Sequence, residues 1–370
     1  MNELVHRRKL IVFPQNRVWR SYPGGRVLDE LAGKASPADT HFPEDWIGSV
    51  TSAKNAGRED VVEGVSEIQL GKDRLSFAHL LEQDAVFFLG KEHVRAFGPK
   101  PQLLVKLLDA AVRLHFQCHP TAEFAKARLK EPSGKAEAYH ILSIREEVRD
   151  PYVYIGFQRP PSREHLREWI LDQNLSAIED CFDPLPVKPG DTLFIPGGYP
   201  HAIGPGILMV EVMEPSDLAV RFEFEKAGYI LPEEARFMGR DIDFALEVFD
   251  FTPVDEELRR EKVLFPARKL HTYPGGGGEL YHLLGEEATP CMRLRKSFLH
   301  GEIEKVEKEP YFGIVTEGEI LLSNGHEERR LPPFSKFFHP SEANPYHLRP
   351  VGAKAAVLEC YPPKPPAQGA

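Results

Sequence analysis

The chain has 370 residues, 42% hydrophobic and 28% charged, which is enough for a large core, or two, beneath a hydrated surface. With 46 Lys and Arg against 56 Asp and Glu, the formal net charge of -10 argues against binding to nucleic acids, whose backbones are anionic. No apolar stretch approaches the ~18 residues of a membrane span. We therefore expect a soluble, cytoplasmic protein that associates with neither nucleic acid nor membrane.

Proline (33) and glycine (29) are spread along the whole chain, and such frequent interruption favours many short strands over long helices. The fold class we predict is therefore mainly β. Apolar runs predict strands at 9–13, 103–108, 114–118, 152–157, 192–195, 208–212, 312–315 and 320–322. Apolar spacing of three to four residues, or a capping Thr, predicts helices at 121–130, 162–172 and 241–249.

The composition divides the chain into two β-rich halves. Segment 226–265 is richer in charge and in helix-forming residues than its flanks, so it predicts a helical connector between domains 1–225 and 266–361. The proline-rich tail 362–370 is predicted to be mobile. A weak internal repeat supports related halves, since Pro189 and Pro196 are seven residues apart, as are Pro333 and Pro340. His201 follows Pro196 by five residues, whereas Pro345 follows Pro340, so the second domain is predicted to lack metal ligands.

Three separate segments carry residues suited to metal binding. On a strand, His115, Gln117 and His119 would share one face, although a half-exposed strand would show the same pattern. Glu137 opens a later apolar run, and a loop carboxylate is an equal alternative there. The pattern G-x5-P-x-G-x2-H over 190–201 predicts a strand, a tight glycine turn and a return strand that directs His201 inward. Two imidazoles, a carboxylate and an amide oxygen suit a borderline divalent ion such as zinc.

This last motif resembles the second motif of the cupin superfamily, and the chain more narrowly resembles the type I mannose-6-phosphate isomerases. The similar segments are 44–49, 103–110, 117–120, 134–137, 196–206, 211–221 and 241–251. The resemblance implies two cupin-type, jelly-roll-like barrels with a few short helices between and around them. It also implies one zinc ion per chain, or another divalent metal, held by Gln117, His119, Glu137 and His201, with Arg221 as the active-site arginine.

The implied reaction interconverts mannose 6-phosphate and fructose 6-phosphate, a small-molecule sugar phosphate, through an enediolate. Lys135 and Glu214 are our hypotheses for acid–base work or substrate contact, with surface charge pairing as the alternative. His115 and Trp46 are the predicted substrate contacts, although packing is the simpler interpretation of Trp46. His115 also departs from the family, which usually has a small hydroxyl residue there, beside the substrate phosphate.

Two other classes of protein stay open at this point. Two His and one carboxylate also suit a cupin oxidoreductase that uses iron, although Gln117 and Arg221 argue against it. A carbohydrate-binding or regulatory protein without catalytic activity is the other alternative. His115 favours that alternative, and the presence of all four metal-ligand residues argues against it.

Overall fold

The computed structural model describes residues 6–70, 73–343 and 345–366. Its architecture is mainly β, with antiparallel sheets and short helices, which confirms the predicted fold class. Within these ranges no helix is both long and apolar enough to cross a bilayer.

The strands are short, as the proline and glycine content predicts. In the first part of the chain they are β1 Ile11–Phe13, β2 Arg17–Val18, β3 Glu44–Ile47, β4 Glu67–Leu70, β5 Asp73–Ser76, β6 Leu104–Asp109, β7 Gln117–Cys118, β8 Glu137–Ile144, β9 Tyr152–Ile155, β10 Leu185–Pro186, β11 Thr192–Ile195, β12 His201–Ile203, β13 Ile207–Met213, β14 Val220–Arg221, β15 Glu225–Lys226 and β16 Tyr229–Ile230. In the second part they are β17 Arg268–Thr272, β18 Gly278–Leu284, β19 Arg293–Leu299, β20 Ile303–Lys305, β21 Tyr311–Glu317, β22 Ile320–Ser323, β23 Glu328–Leu331, β24 Lys336–His339, β25 Tyr346–Pro350 and β26 Ala355–Tyr361.

The α-helices are equally short. They are α1 Arg26–Leu31, α2 Phe77–Gln83, α3 Ala85–Leu89, α4 Lys91–Phe97, α5 Ala122–Phe124, α6 Arg163–Asp172, α7 Leu175–Glu179, α8 Ile242–Leu246 and α9 Glu256–Lys262. The predicted helix 162–172 is confirmed as α6, because the Ser162 side chain caps it by accepting from the His165 backbone N–H. The predicted helix 121–130 begins with Thr121 as its cap and changes to a π-helical turn over Ala125–Leu129.

Four sheets stack to form the two halves. In the first half, a five-stranded sheet (β10-β9-β12-β7-β14) and a six-stranded sheet (β11-β8-β13-β6-β3-β2) share one apolar cluster, to which Tyr139, Ile155 and Met209 belong. In the second half, a seven-stranded sheet (β1-β24-β21-β26-β19-β18-β17) packs in the same way on a four-stranded sheet (β20-β25-β22-β23). Each half is therefore a pair of packed sheets around its own core.

The two halves also share a core. The outer face of the six-stranded sheet packs on the seven-stranded sheet, so that Val105 and Val212 from the first half join one cluster with Ile314 and Leu358 from the second. Side chains alternate along β8, so neighbouring residues of this strand belong to different cores. Ala138 faces the shared core, while Glu137 and Tyr139 face the interior of the first half.

The N-terminal strand crosses the domain division predicted from the sequence. Ile11–Phe13 pairs antiparallel with Lys336–Phe338, so it extends a sheet of the second half although domain 1–225 was predicted to hold it. The predicted boundaries near 225 and 266 stay a prediction. In the tail, the Pro362 carbonyl accepts a hydrogen bond from Arg293 and Lys364 pairs with Glu286, whereas residues 367–370 lie outside the described ranges.

Candidate metal centre

Strand β7 sits at the middle of the candidate site. Gln117 is in register with His201 of β12 on one side and with Arg221 of β14 on the other. Phe116 and Cys118 point the opposite way, into an apolar cluster that helices cover. Strand alternation thus leaves His115 and Gln117 facing the cavity between the two sheets of the first half.

A glycine turn brings His201 to His119. After β11 ends at Ile195, Gly197 lies so close to the Pro120–Thr121 backbone that a Cβ would come within 2.8 Å of Thr121. The Gly198 N–H donates to the His119 carbonyl at 2.7 Å, and Gly198 has φ +89°, which favours glycine. The turn therefore packs against the chain that carries His119, and the return strand begins at His201.

Glu137 approaches from the other sheet and completes a buried cluster with His119 and His201. One ligand atom from each of the three residues lies within 4.8 Å of the others. His119 Nε2 is 3.1 Å from Glu137 Oε1, and His201 Nε2 is 3.5 Å from Glu137 Oε2. Residues far apart in the chain thus converge, as the sequence predicts.

Hydrogen bonds orient both imidazoles for metal binding. His119 Nδ1 lies 2.8 Å from the Leu218 carbonyl, and His201 Nδ1 lies 2.8 Å from the Tyr199 carbonyl. Because a carbonyl only accepts, each Nδ1 carries the proton and each Nε2 presents a lone pair to the cluster. The Tyr139 hydroxyl donates to Glu137 Oε2 and holds that carboxylate in place.

The cluster fits a divalent cation. His201 Nε2 is fully buried and makes no hydrogen bond with the described residues, which is rare for a polar atom. Burial and the Lys135 ammonium lower the pKa of His119 to about 3, so its imidazole is neutral. Burial alone would raise the pKa of Glu137, but Lys135 and His119 hold it well below its usual value. Neutral imidazole and ionised carboxylate are the forms that bind metals.

The predicted residues Lys135, His115 and Arg221 line the cavity beside this cluster. Lys135 Nζ is 3.0 Å from Glu137 Oε1 and 3.1 Å from His119 Nε2. His115 Nδ1 is 2.9 Å from the Glu223 carbonyl and Nε2 is 3.2 Å from Ser21 Oγ. Burial and Arg221 lower the pKa of His115 to about 4, so this ring is a neutral part of the wall.

Two predicted site residues, Trp46 and Glu214, are not among the residues that line this cavity. Trp46 is fully buried and donates from Nε1 to Glu44 at 2.7 Å, with the Arg20 guanidinium over its ring, so it packs beneath the cavity wall and is not a substrate contact. Glu214 accepts backbone N–H groups from Gly134 at 3.2 Å and Ala136 at 2.9 Å. Its carboxylate therefore holds the loop before Glu137, and its role in acid–base work stays a prediction.

Sequence reasoning missed a buried network of charges that forms the other cavity wall. Glu44 accepts from Arg20 at 2.9 Å and Lys106 at 3.2 Å, and Lys106 also pairs with Glu211 at 2.9 Å. Arg20 pairs in turn with Asp217 at 3.0 Å. Burial and the nearby Glu137 raise the pKa of Glu211 to about 8. Lys106, within the predicted apolar strand 103–108, was the available signal, because a buried lysine needs a partner.

Known proteins share both sequence and fold with this chain. Mannose-6-phosphate isomerase ManA of Bacillus subtilis is 31% identical over 268 residues, which cover 71% of this chain and 74% of the relative. GmuF of the same organism, named a probable mannose-6-phosphate isomerase, is 27% identical over 45% of this chain, and the match spans about half of its length (51%). No family model matches the chain.

Solved structures extend the likeness to the whole fold. The crystal structure of the mannose 6-phosphate isomerase from Bacillus subtilis superposes with a TM-score of 0.72 at 20% identity, covering 95% of this chain and 99% of that one. A zinc-bound holo structure of a mannose 6-phosphate isomerase gives a TM-score of 0.68 at 17% identity, covering 96% and 100%. The two-half architecture is thus the one these proteins share.

Proposed function

Because this chain belongs to the type I mannose-6-phosphate isomerases, we propose that it interconverts mannose 6-phosphate and fructose 6-phosphate with the help of one zinc ion. The observation that carries this proposal is the buried cluster of His119, Glu137 and His201, in which the fully buried His201 Nε2 makes no hydrogen bond with the described residues. Gln117, in register beside His201, is the proposed fourth ligand.

The metal chemistry is that of a Lewis acid, since a bound divalent ion would stabilise the negative charge that develops on the substrate oxygens. The reaction removes a proton from one carbon of the aldose and returns it to the adjacent carbon, by way of an enediolate. The chain must therefore hold the two carbons near the cluster, exclude bulk water and supply a group that exchanges a proton.

We assign these tasks to the side chains that line the cavity. Lys135, which is only 5% exposed, lies between the cluster and the open cavity and is the proposed group for proton exchange or contact with the substrate oxygens. Arg221 adds a planar set of donors on the neighbouring strand, which suits sugar hydroxyl or enediolate oxygens. The Glu44–Lys106–Glu211 wall offers further buried polar groups opposite them.

Isomerase activity is tested with the zinc-loaded protein and mannose 6-phosphate, by coupling fructose 6-phosphate formation to a dehydrogenase assay. We expect turnover that chelation abolishes and that zinc restores. Lys135→Met should lower kcat by about 100-fold or more, because general acid–base groups contribute ~10²–10⁴-fold, while metal content is unchanged.

A matched control is Lys188→Met, which removes an exposed lysine outside the cavity and should leave kcat unchanged. Metal-loaded wild-type protein that produces no fructose 6-phosphate would contradict the proposed reaction. Iron in place of zinc, together with activity that requires oxygen, would instead favour the oxidoreductase alternative.

A further inference from the structure

A lysine at the contact between the two halves lacks the partner that a buried lysine needs. Lys296 of β19 is only partly exposed, and within the described part of the chain it forms no ion pair. Five other lysines with little exposure each pair with a carboxylate, in the pairs Lys106–Glu211, Lys135–Glu137, Lys226–Glu223, Lys305–Glu359 and Lys336–Asp45. Lys296 therefore departs from the rule that charges removed from water are paired.

Among the described residues, the one hydrogen bond of the Lys296 side chain goes to His140 of β8, in the other half. Lys296 Nζ lies 3.2 Å from His140 Nε2, and His140 Nδ1 lies 3.0 Å from Thr192 Oγ1 of β11. Because an ammonium only donates, Nε2 accepts this bond and the ring proton is on Nδ1, which donates to Thr192. His140 is fully buried, and burial together with Lys296 lowers its pKa to about 3, so its ring is a neutral acceptor. Such an acceptor does not neutralise the charge of the ammonium.

The groups on the neighbouring strands only partly offset this charge. Tyr281 of β18 is the cross-strand neighbour of Lys296, and Lys296 Nζ lies 5.4 Å from the centre of the Phe298 ring. Glu317 of β21 attracts the ammonium, but it already pairs with the exposed Lys354. Burial outweighs this attraction and lowers the pKa of Lys296. Near pH 8, a larger fraction of this amine is therefore neutral than for an ordinary exposed lysine.

We propose that Lys296 is a modification site, at which an acyl phosphate such as acetyl phosphate acylates the side-chain amine. The neutral nitrogen attacks the acyl carbonyl carbon, and the bond from that carbon to the phosphate oxygen breaks. Phosphate leaves with the electron pair of this bond, the amine proton passes to water, and Lys296 becomes an uncharged amide. No oxidant or reductant is needed, and the partial exposure of Lys296 gives a small reagent access. The proposal does not depend on isomerase activity.

Acylation would disturb a contact between the halves that reaches two strands of the candidate metal centre. The acyl group would occupy the space in which the ammonium now meets His140. His140 belongs to β8, which begins at Glu137, and Thr192 belongs to β11, which leads into the turn before His201. We therefore expect the acylated protein to be less stable than the unmodified protein.

The experiment incubates the zinc-loaded protein with acetyl phosphate at several pH values and follows each lysine by peptide mass spectrometry. Lys269 of β17 is the internal control, because it lies in the same sheet and is exposed, and its ion pair with Glu279 raises its pKa. We expect Lys296 to react faster than Lys269 by about fivefold or more, because more of its amine is neutral. The rate at Lys296 should also level off at a lower pH.

If exposure alone decided the rate, Lys269 would react faster than Lys296, and that result would overturn the proposal. Rates that level off at the same pH for both lysines would overturn it as well, since both amines would then titrate alike.

Lys296→Arg tests the effect on stability, because it keeps a cationic donor that acetyl phosphate does not acylate under these conditions. Each protein is compared with its own untreated sample, so that a change caused by the substitution itself does not enter. Treatment should lower the melting temperature of the wild type and leave that of Lys296→Arg unchanged. An equal change in both proteins would show that acylation of Lys296 does not weaken the contact between the halves.

Discussion

His201 shows how much a single buried side chain depends on its surroundings. It is 0% exposed, and its Nε2 makes no hydrogen bond with the described residues. His339, in the second half, has the same burial, and neither of its ring nitrogens makes a hydrogen bond within the described part of the chain. It stacks on Tyr311, however, and lies outside the three-residue cluster. A comparison of the two histidines therefore separates the effect of burial on zinc binding from the effect of belonging to the cluster.

We predict that His201→Gln lowers zinc affinity by about tenfold or more, since a neutral imidazole ligand is lost from the cluster. His339→Gln is the control and should keep the wild-type zinc content although it too alters a buried site. Metal content after dialysis is measured by mass spectrometry, with melting temperature checked for both variants. Equal zinc content in all three proteins would show that His201 is not a ligand.

For single residues, the sequence predicts the metal-binding cluster better than it predicts the cavity wall. Local turn and strand geometry predicts that His201 points inward, whereas the convergence of His119, Glu137 and His201 was expected from the resemblance to the type I mannose-6-phosphate isomerases. Trp46 could not be placed in the same way, because contacts with Arg20 and Glu44 bury it, and Arg20 is distant in the chain. The Glu44–Lys106–Glu211 pairs also join separate strands and leave no spacing pattern in the sequence.

Among the elements, the loop before β8 governs where Glu137 begins its strand. Glu214, just after β13, receives the backbone N–H groups of Gly134 and Ala136, and Ser216 Oγ donates to the Gly134 carbonyl at 2.6 Å. These bonds tie the loop to the end of the neighbouring strand. Glu214 is thus a positioning residue for Glu137.

We predict that Glu214→Gln destabilises the protein by about 1–3 kcal/mol and weakens zinc binding, because an amide has one accepting oxygen for two buried N–H groups. Glu123→Gln, which alters an exposed glutamate on the nearby helix α5, should change neither quantity. Urea denaturation and zinc titration provide the two measurements. Weaker folding with unchanged zinc affinity would show that the loop does not position Glu137.

Short elements were predictable where their signals are local. The strand at 192–195 is confirmed at its predicted bounds, because Pro196 and the glycine pair end it. The strand predicted at 114–118 is reduced to Gln117–Cys118, since pairing with two neighbours begins only there. Helices α2, α3 and α4 were not predicted, because their apolar residues pack into the core shared by the two halves.

For the whole molecule, the question is how the second half supports a centre built by the first. Lys336 of β24 is 4% exposed and pairs with Asp45 of β3, and its Nζ also donates to the Pro14 carbonyl at 3.2 Å. Asp45 lies between Glu44 and Trp46 in the sequence and accepts the Asn16 backbone N–H at 2.8 Å. Through this ion pair the second half holds β3 in place, and the other face of β3 carries Glu44 into the cavity.

We predict that Lys336→Met destabilises the protein by about 3–5 kcal/mol, because it leaves the Asp45 carboxylate buried without its cation. Lys336→Met with Asp45→Asn should cost clearly less than the sum of the two single changes, since both charges are then removed. Lys354→Met is the control, because Lys354 lies in the same half and its ion pair with Glu317 is exposed. Denaturation of the wild type, the two single variants and the double variant gives the coupling free energy between Lys336 and Asp45. This coupling free energy is zero if the effects of the two changes are additive. The single change should also raise KM for mannose 6-phosphate, because Glu44 loses its support. Zinc content should not change, since His119 directly follows β7 and the other two cluster residues lie on β8 and β12. An unaltered KM would mean that the Lys336–Asp45 ion pair stabilises the fold without affecting the shape of the cavity.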